Sequence, residues 1–507
     1  MSRDITRKDV VAIYDKILQN AERKIEYGDY DYSLKCIEAA ASWAYKFNVF
    51  FSDVKAEILI KKIADKTIGK KQIKTKENRF ILLDTAGLDN RGLTQQYIRA
   101  LEANKLDYLF VTLRSDISPL RDTIDEVHNS VYGQVMTFES SRLTYLEKAV
   151  CVREAIISFQ ARNILLHLMP WDVISLIAIY TIKGIQSYNI NLTDHAFWLG
   201  SSFIDYNIDF RPYGKTISLQ KRSIVKESIL ELPYYPIKPV STSFSGLPSV
   251  PNDSVIIFTG GAPYKMDDKK NTFFNTIIDG ILDISPKVVI FVAGYSSISD
   301  IFKLKISNMR NKERVYNIGI RKDIDEVYRH CDIYLQTYPL YGGLMAQYGV
   351  MHKLPVLAYV DKDKKSGCEE ITNHFGQAAK CFVDFSCFID YAKQLINDEK
   401  YRKAEGEKLY KVMMNENLFN EKFKEVVLYK RVLFNWSTSE IDYDAHSNMY
   451  LMQENTQGHK AIKYLINMFS ETGCLKLFTQ QWLLFYPYIN KRNIIHHYKT
   501  KLYSLFS

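Results

Sequence analysis

The chain has 507 residues, 47% hydrophobic and 25% charged, with a formal net charge of +9. That length exceeds what one core serves, so two or three domains are expected, and the composition is that of a soluble globular chain. The basic excess is spread along the chain. It suits acidic substrates, an anionic membrane surface or nucleic acid without choosing among them. The seven cysteines (Cys36, Cys151, Cys331, Cys368, Cys381, Cys387 and Cys474) form no C-x-x-C pair. They read as free thiols in a reducing compartment, not as a disulfide frame or a zinc site. The opening "MSRDITRKDV" is too polar for a signal peptide, and the apolar run "VISLIAIYTI" falls far short of a membrane span. The expected location is the cytoplasm, with peripheral contact at the inner membrane surface left open.

Residues 1–72 carry apolar positions at helical spacing, broken at "YGDYD", and read as a helical N-terminal region. From "FILLD" the texture changes. "DYLFVT", "GQVMTF", "NILLHL" and "SYNINL" are apolar strands alternating with helices such as "LTQQYIRALEANK" and "LTYLEKAVCVREAIISF". That alternation implies a parallel α/β sheet covered on both faces over 73–245. "LPYYPIKPVSTSFSGLPSVPND" is rich in Pro and Ser and reads as an interdomain linker. The α/β texture restarts over 246–400 with "SVIIFTGG", "KVVIFVAG", "RVYNIGI", "DIYLQTYP" and "LPVLAY", and 401–507 is helical again. Two doubly wound halves imply a cleft beyond their strand ends, so the glycine turns Gly260–Gly261 and Gly342–Gly343 should face it. Glycines at the mouth of a helix either admit an anion to free N–H groups or simply make a tight turn.

The string "GIRKDIDEVYRHCDIYL", then "YPLYGG", then "LPVL", following "IIFTGGAPYKM", resembles the GT-B glycosyltransferases. The resemblance covers roughly 79–400 and is strongest over 254–372. It implies a nucleotide-sugar donor, with UDP-sugars favoured, bound by the second half. A saccharide, lipid-linked saccharide or protein acceptor would be bound by the first, without a metal or resident cofactor. It implies a diphosphate loop at Gly260, Gly261 and Lys265, faced by Tyr341, Gly342 and Gly343, with Arg321 near the base. Glu369 or Glu370 would hold ribose hydroxyls or cap a helix. The retaining members' two glutamates match Leu340 and Tyr348 here, so that version of the chemistry is not expected; Gln347 would hydrogen-bond a ribose or sugar hydroxyl, or sit on an exposed helix face. Protein O-GlcNAc transferases and bacterial cytoplasmic N-glucosyltransferases also lack this pair and are loosely similar.

In the first half, "NINLTDHAFWLG" places Asp194 and His195 after a strand, and "YNIDFRPYGK" adds Asp209, Arg211 and Lys215. A transferase needs a base for the acceptor proton, and a His or carboxylate suits that task; a core histidine is the alternative. If 194 and 195 lie in a strand they point to opposite faces, and Asp194 does not orient His195. Gly87, Arg91 and Gly92 in "DTAGLDNRG" would lie over the donor–acceptor junction. No G-x-x-x-x-G-K-S/T loop exists, so the "DTAG" string does not indicate a GTPase. The expected activity is glycosyl transfer in bacterial glycan or glycoprotein biosynthesis, with a partner protein at the helical ends and no nucleic acid. The alternatives are a nucleotide-sugar 2-epimerase, which needs no acceptor, and a non-catalytic scaffold of the same fold.

Overall fold

The computed structural model describes residues 3–89, 93–138, 142–237, 243–268, 270–361, 374–456 and 459–489. The chain opens with helices α1 (Arg7–Glu26), α2 (Tyr30–Phe47) and α3 (Val54–Thr67). A capping box starts α1, where the Thr6 hydroxyl accepts from the Asp9 amide and Asp9 accepts in return from the Thr6 amide. Strands β1 (Lys76–Asp84), β2 (Asp107–Thr112), β3 (Gly133–Thr137), β4 (Ala161–His167), β5 (Gln186–Ile190), β6 (Tyr206–Asp209) and β7 (Ile229–Glu231) follow. They form a parallel sheet in the order β3-β2-β1-β4-β5-β6-β7. The second half contributes β8 (Val255–Gly260), β9 (Val288–Ala293), β10 (Val315–Gly319), β11 (Ile333–Leu335) and β12 (Val356–Leu357), parallel in the order β10-β9-β8-β11-β12. Each sheet needs helical crossovers, and the alternation of apolar residues on both faces accommodates them.

Alternation along β1 sends its side chains to two different cores. Phe80 and Leu82 join one with Tyr97, Ile98 and Leu101 of helix α4 (Thr94–Ala103). Ile81 and Leu83 join another with α1–α3 and with α5 (Tyr145–Phe159) and α6 (Val173–Tyr180). Later helices, in chain order, include α7 (Pro212–Lys221), α8 (Gly343–Met351), α9 (Glu399–Val412), α10 (Glu416–Phe423), α11 (Tyr443–Thr456) and α12 (Lys460–Phe469).

The chain crosses between the halves after β7 and again between α9 and α10. Helix α9 belongs to the second half: Gly406 is pressed so close to the Lys353 carbonyl that a Cβ would overlap it. Helix α10 returns to the first, where Phe419 packs on Tyr97 with ring centroids 5.5 Å apart. The two helical ends then meet. Asn455 donates to the Ile5 carbonyl and accepts from the Ile5 amide, and the Ser447 hydroxyl donates to the Asn48 carbonyl. Residues of α12 and beyond, including Leu465, Phe478 and Phe485, share a core with α1–α3. The ends therefore complete the first half. Strands β6 and β7 were not expected from the sequence; β6 is four residues long, and its Asn207 is buried in hydrogen bonds where an apolar residue would have signalled a strand.

Candidate functional site

The C-terminal strand ends of both sheets converge on a cleft of about 560 Å³. Its first wall follows β5 and β6. Asp194 is fully buried, and Arg211 grips it through Nε to Oδ2 at 2.6 Å and Nη2 to Oδ1 at 2.8 Å. Gly214 in α7 makes room, because a Cβ there would stand 2.9 Å from the carboxylates of Asp194 and Asp209. Burial alone would raise the Asp194 pKa, but the Arg211 guanidinium outweighs it and holds the carboxyl below the ordinary range. His195 Nδ1 lies 3.2 Å from Asp194 Oδ1, while the ring stays 39% exposed to the cleft. Its carbonyl is pinned by Asn48 Nδ2 and His446 Nε2.

The second wall follows β8 and β11. The Gly261 amide donates to the Ala293 carbonyl at 3.2 Å, and Gly294, at φ +115°, lets the turn lie flat against β9. Lys265 Nζ donates to the Tyr341 carbonyl at 3.1 Å, so the lysine joins the two glycine turns. The Gly342 amide donates to Gln336 Oε1, and Gly343 opens α8 with no side chain capping it. The helix N-terminus thus presents amides and positive potential to the cleft.

His374 stands between the walls. Its ring lies parallel to Phe210, with centroids 6.1 Å apart and 9° between planes, and edge-on to Tyr234 at 5.1 Å. On the other side Gln347 Nε2 is 3.3 Å from its Nδ1. Burial, reinforced by Arg211, pushes its pKa down to about 3, so the imidazole is neutral. The third wall comes from the helical ends: Tyr45 and Lys46 of α2, and His446, Met449, Tyr450 and Gln453 of α11.

No family model matches the sequence, and no curated protein matches it. Solved structures do. A mutant O-GlcNAc transferase of Thermobaculum terrenum is 11% identical over 89% of this chain and 84% of its own, with a TM-score of 0.50. Anabaena HepE in complex with UDP is 14% identical over 69% of this chain and all (100%) of its own, also at 0.50. This chain has the GT-B fold.

The GT-B cleft collects His195, Asp194, Lys265, Tyr341 and Gly343 from among the residues expected on sequence grounds. Gly260, Gly261 and Gly342 form the turns behind its second wall. Several expectations meet a different arrangement. Asp194, not expected to orient His195, does so: both lie in the turn after β5, where adjacent side chains can touch. Arg321 does not line the cleft; it pairs with Asp323 at 2.6 Å and donates to the Gly246 carbonyl, tying the linker to the second half. Gly87 packs on a buried cluster, its amide donating to Asp84, whose other oxygen is 2.9 Å from His167 Nδ1. Gln347 is buried, not on an exposed face. Asp209 and Lys215 are buried away from the cleft, the latter paired with Glu231 at 2.6 Å. Arg91, Gly92, Glu369 and Glu370 lie outside the described residues. His374, Tyr234 and the α11 wall were missed; His374 stands inside the "SGCEEITNHFG" string with no spacing to single it out. Among the described residues no group of three His, Cys, Asp or Glu could hold a metal ion, and no helix is long and apolar enough to cross a membrane.

Proposed function

We propose that the protein transfers a sugar from a nucleoside-diphosphate sugar, a UDP-sugar in the favoured case, to a saccharide or protein acceptor. The observation that carries this reading is the pairing, across one cleft, of an anion-receiving wall with a proton-accepting one. On the anion-receiving wall, Lys265 and the Gly343 amide at the start of α8 would take the diphosphate, whose charge grows as it leaves. On the proton-accepting wall, Asp194 is held ionised by Arg211 and accepts from His195 Nδ1–H, which leaves His195 Nε2 to take the acceptor proton. Asp194 is thus the orienting group and not a base. The acceptor would enter along α2 and α11, where Tyr45 and Tyr450 offer ring faces beside Lys46 and Gln453.

A thermal-shift screen of UDP, GDP, CMP and their sugars tests the donor side, since a ligand at about 100 times its Kd stabilises the folded state by about 2.7 kcal/mol. A uridine nucleotide is expected to give the largest shift. Donor turnover should then require an acceptor; sugar isomerisation without one would identify an epimerase, and binding without turnover a scaffold.

A further inference from the structure

Gln347 is 1% exposed, and its Nε2 lies 3.5 Å from the Tyr234 carbonyl and 3.3 Å from His374 Nδ1. A carbonyl only accepts, so the amide edge turned toward Tyr234 is the NH₂ edge, and the same NH₂ faces the imidazole. His374 Nδ1 therefore accepts, and a ring nitrogen that accepts carries no hydrogen. In a neutral imidazole the hydrogen is then on Nε2. That atom lies over the first residue of α8: a Cβ built on Gly343 would come 2.9 Å from it. The residue at 343 must be small for the ring to reach this place.

We propose that His374 is a second catalytic residue of the transfer, donating a hydrogen bond from Nε2–H to the departing diphosphate at the mouth of α8, with Gln347 as the positioning residue that fixes its tautomer. This rests on the nucleoside-diphosphate reading of the cleft. When the bond between the anomeric carbon and the phosphate oxygen breaks, the electron pair stays on that oxygen. Nε2–H keeps its proton and its hydrogen bond strengthens as the charge arrives, beside the amides of α8 and the Lys265 ammonium. The groups acting on the ring agree with a neutral donor. From the first half Arg211 disfavours the imidazolium and Asp194 favours it; Phe210 and Tyr234 bury it, and from α8 the Gln347 amide faces it.

The test uses the full chain labelled with ¹⁵N-histidine. Two-bond ¹H–¹⁵N correlation, with His374 assigned by its loss in His374→Gln, should show a neutral ring protonated at Nε2 from pH 5 to pH 8. Calorimetry with UDP should show His374→Ala weakened about 10- to 100-fold, the range for one hydrogen bond to a charged group. His374→Gln, whose amide can donate from nearly the same place, should recover most of that loss. Gln347→Glu, whose carboxylate would draw the hydrogen to Nδ1, should reverse the tautomer and weaken UDP binding, while Gln347→Met serves as the packing control with melting temperatures followed throughout. An Nδ1–H tautomer, titration near the ordinary pH 6.5, or UDP affinity unchanged in His374→Ala would overturn the proposal. If the wild type binds UDP and His374→Ala binds it equally, this inference alone falls. If the wild type binds no nucleoside diphosphate, the donor reading of the cleft falls and takes the phosphate role with it.

Discussion

Asp194 and Asp209 are both fully buried and close to Gly214, yet they carry opposite charge behaviour. Asp194 has a bidentate guanidinium. Asp209 has only amide and hydroxyl donors, from Asn191, Asn207 and Ser218, and burial pushes its pKa up to about 7. Its unfolded value is about 3.9, so between about pH 4 and pH 7 the folded state binds more protons than the unfolded one. Stability therefore falls as pH rises through that window. The wild-type melting temperature should drop from pH 5 to pH 8, and Asp209→Asn should flatten that slope; parallel slopes would assign the titration elsewhere. Two further substitutions separate the walls of the cleft. Lys265→Ala should cost about 1.5–3 kcal/mol of UDP affinity by calorimetry with the melting temperature retained. His195→Ala should lower turnover about a hundred- to ten-thousandfold while UDP binds as before. The places of Lys265 and His195 in the cleft were legible because each stands in the loop after a strand, where this architecture puts ligands. His374 was not, because its role depends on Tyr234 and Gln347, which the sequence holds far from it and only the closed fold brings together.

The elements most legible in the sequence were long apolar strands next to glycine, such as β8 and β9, whose six-residue runs are buried from end to end or nearly so. Glycine there also marks a close approach. A Cβ at Gly294 would stand 1.8 Å from the Gly261 carbonyl oxygen, at a φ of +115° that side chains rarely adopt. Gly294→Ala should therefore lower the melting temperature and, by lifting the turn, weaken UDP binding too, the backbone strain alone costing about 1–3 kcal/mol. The edge strand β7 was illegible because three residues carry no periodicity, and what holds it is distant. Glu231 is paired with Lys215 of α7, and both grip the backbone of Trp436, Glu231 accepting from its amide and Lys215 donating to its carbonyl. Lys215→Met would leave that carboxylate buried without its cation, at a cost of about 3–5 kcal/mol in denaturant unfolding. A double variant that also replaces Glu231 with Gln should recover part of it.

At the scale of the molecule, the sequence showed two α/β halves but gave no sign of where the helical ends go, since an amphipathic helix announces that it has an apolar face and not which surface meets it. They pack on each other and on the first sheet, and α11 closes one side of the cleft. The aromatic core under β1 likewise takes Phe419, Phe423, Val426 and Val427 from the returning segment. The second half is thus an uninterrupted stretch of chain lodged inside the first. On the ribosome this inverts the order in which the halves can mature. The stretch from about 243 to 413 has every residue it needs as soon as it has emerged, whereas the half whose sheet is made earlier must wait, with its cores incomplete, until residues 416–428 and then the segment after 460 are made. At ordinary elongation rates of about 5–20 residues per second that interval lasts some tens of seconds. Fragment 243–413 made alone should give a cooperative melting transition, fragment 1–237 should be insoluble or lack one, and a stalled chain ending at 413 should recruit chaperones to its N-terminal portion.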